Sequence, residues 1–145
     1  MKNETLEVLE TFFRKTPIMR AGPVPRAEVD AAFSHFRFAL PEDYKNFVET
    51  YGGAIVGPYR VFGLRKAVPM GVKEASALDV TNRFVKQRWP GTEDWLVIST
   101  DHSGNPVGLA ADGRVWISDH DNGQVTVIAS SFESFLRQYC LKLPA

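Results

Sequence analysis

The chain has 145 residues, and its 17 Lys and Arg balance 17 Asp and Glu to a formal net charge of zero. That length suits one domain, 1–145, able to bury roughly two-thirds of its unfolded surface without disulfides or metals. With 44% hydrophobic and 23% charged residues, a disordered acidic tail, a collagen-like chain and a strongly basic nucleic-acid coat are excluded.

The single cysteine, Cys140, leaves no partner for an intramolecular disulfide and no Cys-rich zinc site, and it suits a reducing compartment. Glu4 and Glu7 stand where a secretory signal needs an apolar run, and no stretch approaches the roughly 18 apolar residues of a membrane span. The expected setting is cytoplasmic, with no membrane partner.

The first third reads as helices. Leu6, Val8, Leu9, Phe12 and Phe13 form a broad apolar stripe over 4–16 that Pro17 ends, and a Pro/Gly-rich connector follows over 21–26. Val29, Ala32, Phe33 and Phe36 then fall at i, i+3, i+4 and i+7, one face of a second helix. Pro41 fits the first position of a third, where Glu42 and Asp43 favour the positive end of the dipole. Tyr44, Phe47, Val48 and Tyr51 make its buried face, and Gly52 with Gly53 stops it.

Beyond the glycines the pattern changes. Residues 59–62 suit a short strand, and 65–77 are irregular or weakly helical. Asp79 is the expected cap of a helix running through Trp89, buried through Val80 and Phe84 with Val85 beside them, and closed by Pro90. Residues 95–98 are a continuous apolar run, fit for a strand covered on both faces. Residues 106–110, 114–118 and 124–129 supply three more strands. Asp112-Gly113 and Asn122-Gly123 between them are strong hairpin signals and predict an antiparallel meander. Ser130 and Glu133 have capping-box spacing, opening a helix buried through Phe132, Phe135, Leu136, Tyr139 and Cys140. Helices first and strands last predict an α+β domain: a largely antiparallel sheet flanked by N-terminal helices and a C-terminal helix.

No catalytic set emerges from the residues. Gly52 and Gly57 have P-loop spacing, but Pro58 and Tyr59 stand where a lysine and a hydroxyl are needed, so the segment reads as a turn. Residues 119–123 begin like a calcium loop, yet the glycine falls one place early and Ser130 replaces the bidentate glutamate. His102 and His120, with Asp101, Asp119 and Asp121, would suffice for zinc or iron if their strands were neighbours. They lie on loops without helical ligand spacing, and surface turns are the simpler reading. Ser99 and Ser103 lack a nucleophile elbow, and Cys140 belongs to an apolar stripe. No cofactor is expected.

The zero net charge hides a separation. Residues 60–88 carry seven bases and two acids, net +5, whereas 93–121 carry six acids and one base, net −5. The acids fall at strand ends and turns, where aspartate is also a turn former. If those turns share one rim, it presents a negative potential that steers a basic partner.

The run Leu40-Pro-Glu-Asp-Tyr44-Lys-Asn-Phe47-Val-Glu-Thr-Tyr51-Gly-Gly53 closely resembles the helix-and-glycine motif of the SUKH superfamily, the Smi/Knr-like proteins. Ile98 to Asn105, Gly113 to Trp116 with Asp119 to Asp121, and Ile128 to Leu136 continue the resemblance in the family's order, within 28–137. Gly52 departs from the family's usual asparagine, which keeps the turn but loses that side chain's hydrogen bonds. The resemblance implies an α+β fold and no known enzymatic chemistry. Bacterial members of that superfamily look like immunity proteins that bind and neutralise a cognate toxin domain, often a nuclease, and fungal relatives look like regulatory binding proteins.

The expectation is therefore a bacterial immunity protein acting by binding, with direct nucleic-acid contact unneeded. Glu93, Asp94, Asp101, Asp119 and Asp121 are the candidate steering charges, and Tyr59, His102 and His120 the candidate contacts. An intracellular regulatory or scaffold module binding a cellular protein is the alternative, and a metal-dependent enzyme using the two histidine loops a third. Oligomeric state is left open by the sequence.

Overall fold

The computed structural model describes residues 1–74 and 76–145. Three helices come first: α1 (Asn3–Lys15), α2 (Arg26–Phe33) and α3 (Glu42–Tyr51). A hairpin of β1 (Ala54–Val56) and β2 (Tyr59–Val61) precedes α4 (Ala77–Lys86). Four strands follow, β3 (Trp95–Thr100), β4 (Pro106–Ala110), β5 (Val115–Asp119) and β6 (Gln124–Ala129). The last helix, α5, opens as an α turn (Phe132–Phe135) and continues as a π-helix (Leu136–Cys140). All six strands form one antiparallel sheet in the order β1-β2-β3-β4-β5-β6. The predicted α+β architecture is thereby established.

Strand alternation divides the sheet into two unlike faces. Paired residues share a face, so the registers group Leu96 with Leu109 and Val115, all fully buried. These pack in one apolar cluster with Leu9, Phe13, Tyr44, Phe47 and Phe132. Phe132 meets Tyr44 and Phe47 edge-on at 5.1 and 5.4 Å, and Phe13 lies 4.7 Å from Tyr51. Two of the tyrosines also serve polar roles. Tyr44 donates its hydroxyl proton to Phe62 O at 2.7 Å, and Tyr51 donates to Glu10 at 2.7 Å. Burial without a charge partner pushes the Tyr44 hydroxyl far above its ordinary value, so it stays a neutral donor.

A buried arginine fastens the first helix to the last. Arg137 donates to Thr5 Oγ1 at 3.0 Å, to Glu4 at 3.1 Å and to Pro144 O at 2.7 Å. Thr5 in turn donates to Glu133 at 2.7 Å, and Lys2 N donates to the same carboxylate oxygen at 2.8 Å.

The structure moves several predicted boundaries. Ser131, not Ser130, caps α5 through Ser134 N, and Glu133 turns to α1 instead of closing a capping box. Ser76 rather than Asp79 caps α4, and that helix ends at Lys86. Arg88 takes a left-handed conformation (φ 59°), which folds Trp89 back against Phe84 at 5.5 Å. The second helix stops at Phe33, leaving Ala32 exposed and Phe36 beyond its end. Pro41 is the residue before the third helix rather than its first. The glycine-bounded segment read as a turn holds strand β1, with Gly57 (φ 57°) turning into β2. A Cβ at Gly57 would stand 2.1 Å from Cys140 O, so this turn is seated against the last helix.

Candidate functional site

An antiparallel meander places successive turns at alternate ends of the sheet. The turn after β3 and the turn after β5 share one end, which carries Asp101, His102, Asp119, His120 and Asp121. The turn after β4 lies at the other end, beside the start of β3 with Glu93 and Asp94. The acidic residues thus form two groups at opposite ends, rather than the one rim on which a single negative surface depends. Strands of five or six residues separate those ends by about 17–20 Å.

At the first end, Asn105 joins the two turns. It is 3% exposed, and it donates from Nδ2 to Asp101 Oδ2 at 2.9 Å. Its Oδ1 accepts the backbone N–H of His120 at 3.1 Å and faces His120 Nδ1. With that acceptor at Nδ1, the other ring nitrogen, Nε2, lies 3.2 Å from the Asp121 carboxylate. Asp101 also accepts from Ser103 N and Asn105 N, each at 2.9 Å, so its carboxylate is absorbed in shaping the loop. The His120 ring rests edge-on against Trp89 at 5.5 Å. His102 is exposed and lines a cleft of about 390 Å³ with Arg60, Pro58 and Thr100.

The two histidines do not converge as a ligand pair. Among the described residues, Asp119, His120 and Asp121 bring ligand atoms within 4.8 Å of one another, without His102 or Asp101. These three are neighbours in sequence, and Asp119 Oδ1 accepts Asp121 N at 2.9 Å, as a turn requires. Tyr59 is also less available than expected. Its ring packs edge-on against Phe135 and Tyr139, and burial raises its hydroxyl above the ordinary value.

At the second end, Asp112 shapes its own turn. The backbone N–H of Arg114, then its guanidinium at 2.7 Å, hold the Asp112 carboxyl below the ordinary range. Glu93 and Asp94 are exposed, with no ion-pair partner among the described residues.

A feature between the two ends had no sequence motif. The registers put Trp95, Gly108, Trp116 and Val127 on the face opposite the main core. Gly108 has no side chain because Trp95 lies across it, where a Cβ would meet the indole at 2.2 Å. Beyond this indole the face opens into a cleft of about 520 Å³, lined by Trp95, Trp116, Val125, Arg37 and Phe38, with Asp94 and Asp112 at its margin. The Trp116 indole N–H is buried without an acceptor among the described residues. Arg37 is tied to backbone carbonyls, donating to Trp95 O at 2.6 Å and Thr92 O at 3.3 Å. The signal in the sequence was a tryptophan in each of the two strands that flank β4, with a glycine on β4 between them.

Part of the basic segment is already partnered. Arg65 pairs with Glu28, Arg83 pairs with Glu74, and Lys66 donates to Val72 O. No helix is long and apolar enough to cross a membrane among the described residues. The sequence pattern of the SMI1 / KNR4 family (SUKH-1) matches residues 23–138, most of the chain and close to the 28–137 span of the resemblance. No individual curated protein matches the chain significantly.

Proposed function

The chain belongs to the SMI1 / KNR4 family (SUKH-1), and on that footing we propose that it is a non-enzymatic immunity protein that binds and neutralises a toxin domain. The observation that carries this reading is the pair of acidic groups that the meander sets at opposite ends of one sheet. Asn105 joins the two turns of one group, and at the other end Arg114 holds the Asp112 turn beside the unpaired Glu93 and Asp94. Exposed carboxylates attract a basic protein surface, and nuclease toxins carry such surfaces because they bind phosphate. Inhibition by occlusion then requires no chemistry from this chain. A protein partner fits better than nucleic acid, since Arg65 and Arg83 are already matched by Glu28 and Glu74. The protein would act in the cytoplasm of a toxin-producing bacterium.

Co-expression with the toxin candidate encoded beside it tests the reading. Growth should be rescued, and the two proteins should co-purify at low salt. Rescue failing while this protein is folded, or a neighbouring product with no toxicity, overturns it.

A further inference from the structure

The two edges of the sheet are treated differently. At the β1 edge, Arg20 bridges Ala54 and Ala21 N donates to Gly53 O at 2.9 Å, so preceding chain covers it. At the other edge, β6 pairs only with β5 among the described residues. Its six residues, Gln-Val-Thr-Val-Ile-Ala, hold no charge and no proline, the two residue types that most often protect an edge. Gln124, Thr126 and Val127 are exposed, with Val127 at 41%. The register irregularity in the β5–β6 pair falls beyond Val127, so Gln124–Val127 keep regular pairing geometry.

The surroundings of this edge select what can add to it. Asp119 and Asp121 stand at its start. Near its end Asp112 is already paired with Arg114, whose guanidinium lies over Trp116. The unpaired carboxylates there, among the described residues, are Glu93 and Asp94, the latter lining the same cleft as Val125. Carboxylates near both ends disfavour an acidic strand and favour one whose ends are basic, since such charges act across about one Debye length, 8–10 Å. Val127 and Val125 are on the same face as Trp116, so the edge runs into the Trp95–Trp116 cleft. A strand on β6 would set alternate side chains over that cleft.

We infer that β6 is a strand-addition site for an extended basic segment of a protein partner, with that segment's apolar side chains entering the Trp95–Trp116 cleft. The inference rests on the binding role proposed above and names the surface for it. Main-chain hydrogen bonds along Gln124–Val127 supply the docking, and the flanking carboxylates supply the preference for lysine and arginine.

Nuclear magnetic resonance titration of the isotope-labelled protein reads this surface without the toxin. The probes are an end-blocked octapeptide of alternating lysine and valine and its glutamate–valine counterpart, at low salt. The lysine peptide should shift the amides of 124–129 and the Trp116 indole N–H, with the glutamate peptide at least tenfold weaker. Thr126→Pro should abolish the response. Val127→Lys, at a position exposed enough to tolerate it, should weaken it at least tenfold and stands in if the proline variant does not fold. Silence at β6 up to millimolar lysine peptide, or equal responses to both peptides, overturns the inference. So does concentration-dependent broadening of β6 without peptide, which would assign the edge to a second copy of this chain. Successful toxin rescue alongside a silent β6 would sink this inference alone. A responsive β6 with failed rescue would sink the immunity reading alone.

Discussion

Asn105 accepts the backbone N–H of His120 at 3.1 Å while donating to the Asp101 carboxylate at 2.9 Å, and so locks the turn after β3 to the turn after β5. One buried amide therefore sets the spacing of the three carboxylates at that end of the sheet. Donor and acceptor are both used, which explains an asparagine where an aspartate would face Asp101 with like charge.

Removing this amide should loosen both turns together. Asn105→Ala removes bonds to the partly exposed Asp101 and the exposed His120 and is expected to cost about 1–2 kcal/mol. Urea unfolding measures the loss, and amide exchange should accelerate at both 101–105 and 119–123. Acceleration confined to the first turn would show that Asn105 does not couple them.

The parts of this fold that were legible share a cause: they repeat. The apolar run at 95–98 is buried as read, and Asp112-Gly113 and Asn122-Gly123 do turn the meander. Only the glycines there have positive φ (88° and 69°), so the connections are longer than two-residue hairpins. Single polar residues carry no period, and that hid Asn105 and Arg137. Ser76 and Ser131 displaced the expected caps because several short polar side chains lie at each helix start, and geometry chooses among them. Strand β1 escaped notice because three residues between glycines show no alternation. The charge split was legible, but its division between two ends follows from strand order, which composition does not encode.

Trp95 over Gly108 is the next test, because it shapes the open cleft. Gly108→Ala places a methyl where the indole now lies and should destabilise by roughly 1–3 kcal/mol through overpacking. Thermal unfolding reports the loss, and tryptophan fluorescence should redden as Trp95 is displaced toward water. An unchanged melting temperature would mean the indole moves aside freely.

Cys140 is 3% exposed, and burial pushes its thiol well above the ordinary value. The thiolate is the reactive form, so the native protein should resist thiol reagents. Labelling by a disulfide reagent at neutral pH should proceed only as fast as the protein opens, and should become immediate in denaturant. Stoichiometric labelling within mixing time, without denaturant, would contradict this placement.

Glu133 links stability to pH. Burial pushes its carboxyl up, but hydrogen bonds from Thr5 and from Lys2 N outweigh this and hold it below its ordinary 4.5. A carboxyl depressed in the folded state contributes stability that is full above the unfolded value and lost as pH falls through the folded one. Denaturant midpoints should therefore hold steady above about pH 5 and decline below 4.5. Glu133→Gln keeps the shape but not the charge, so its midpoint should be lower at neutral pH and approach that of the unaltered protein in acid. Parallel profiles for the two proteins across that range would remove Glu133 as the source. The same variant should raise amide exchange in the first turn of α1, because Thr5 and Lys2 N share that one carboxylate oxygen.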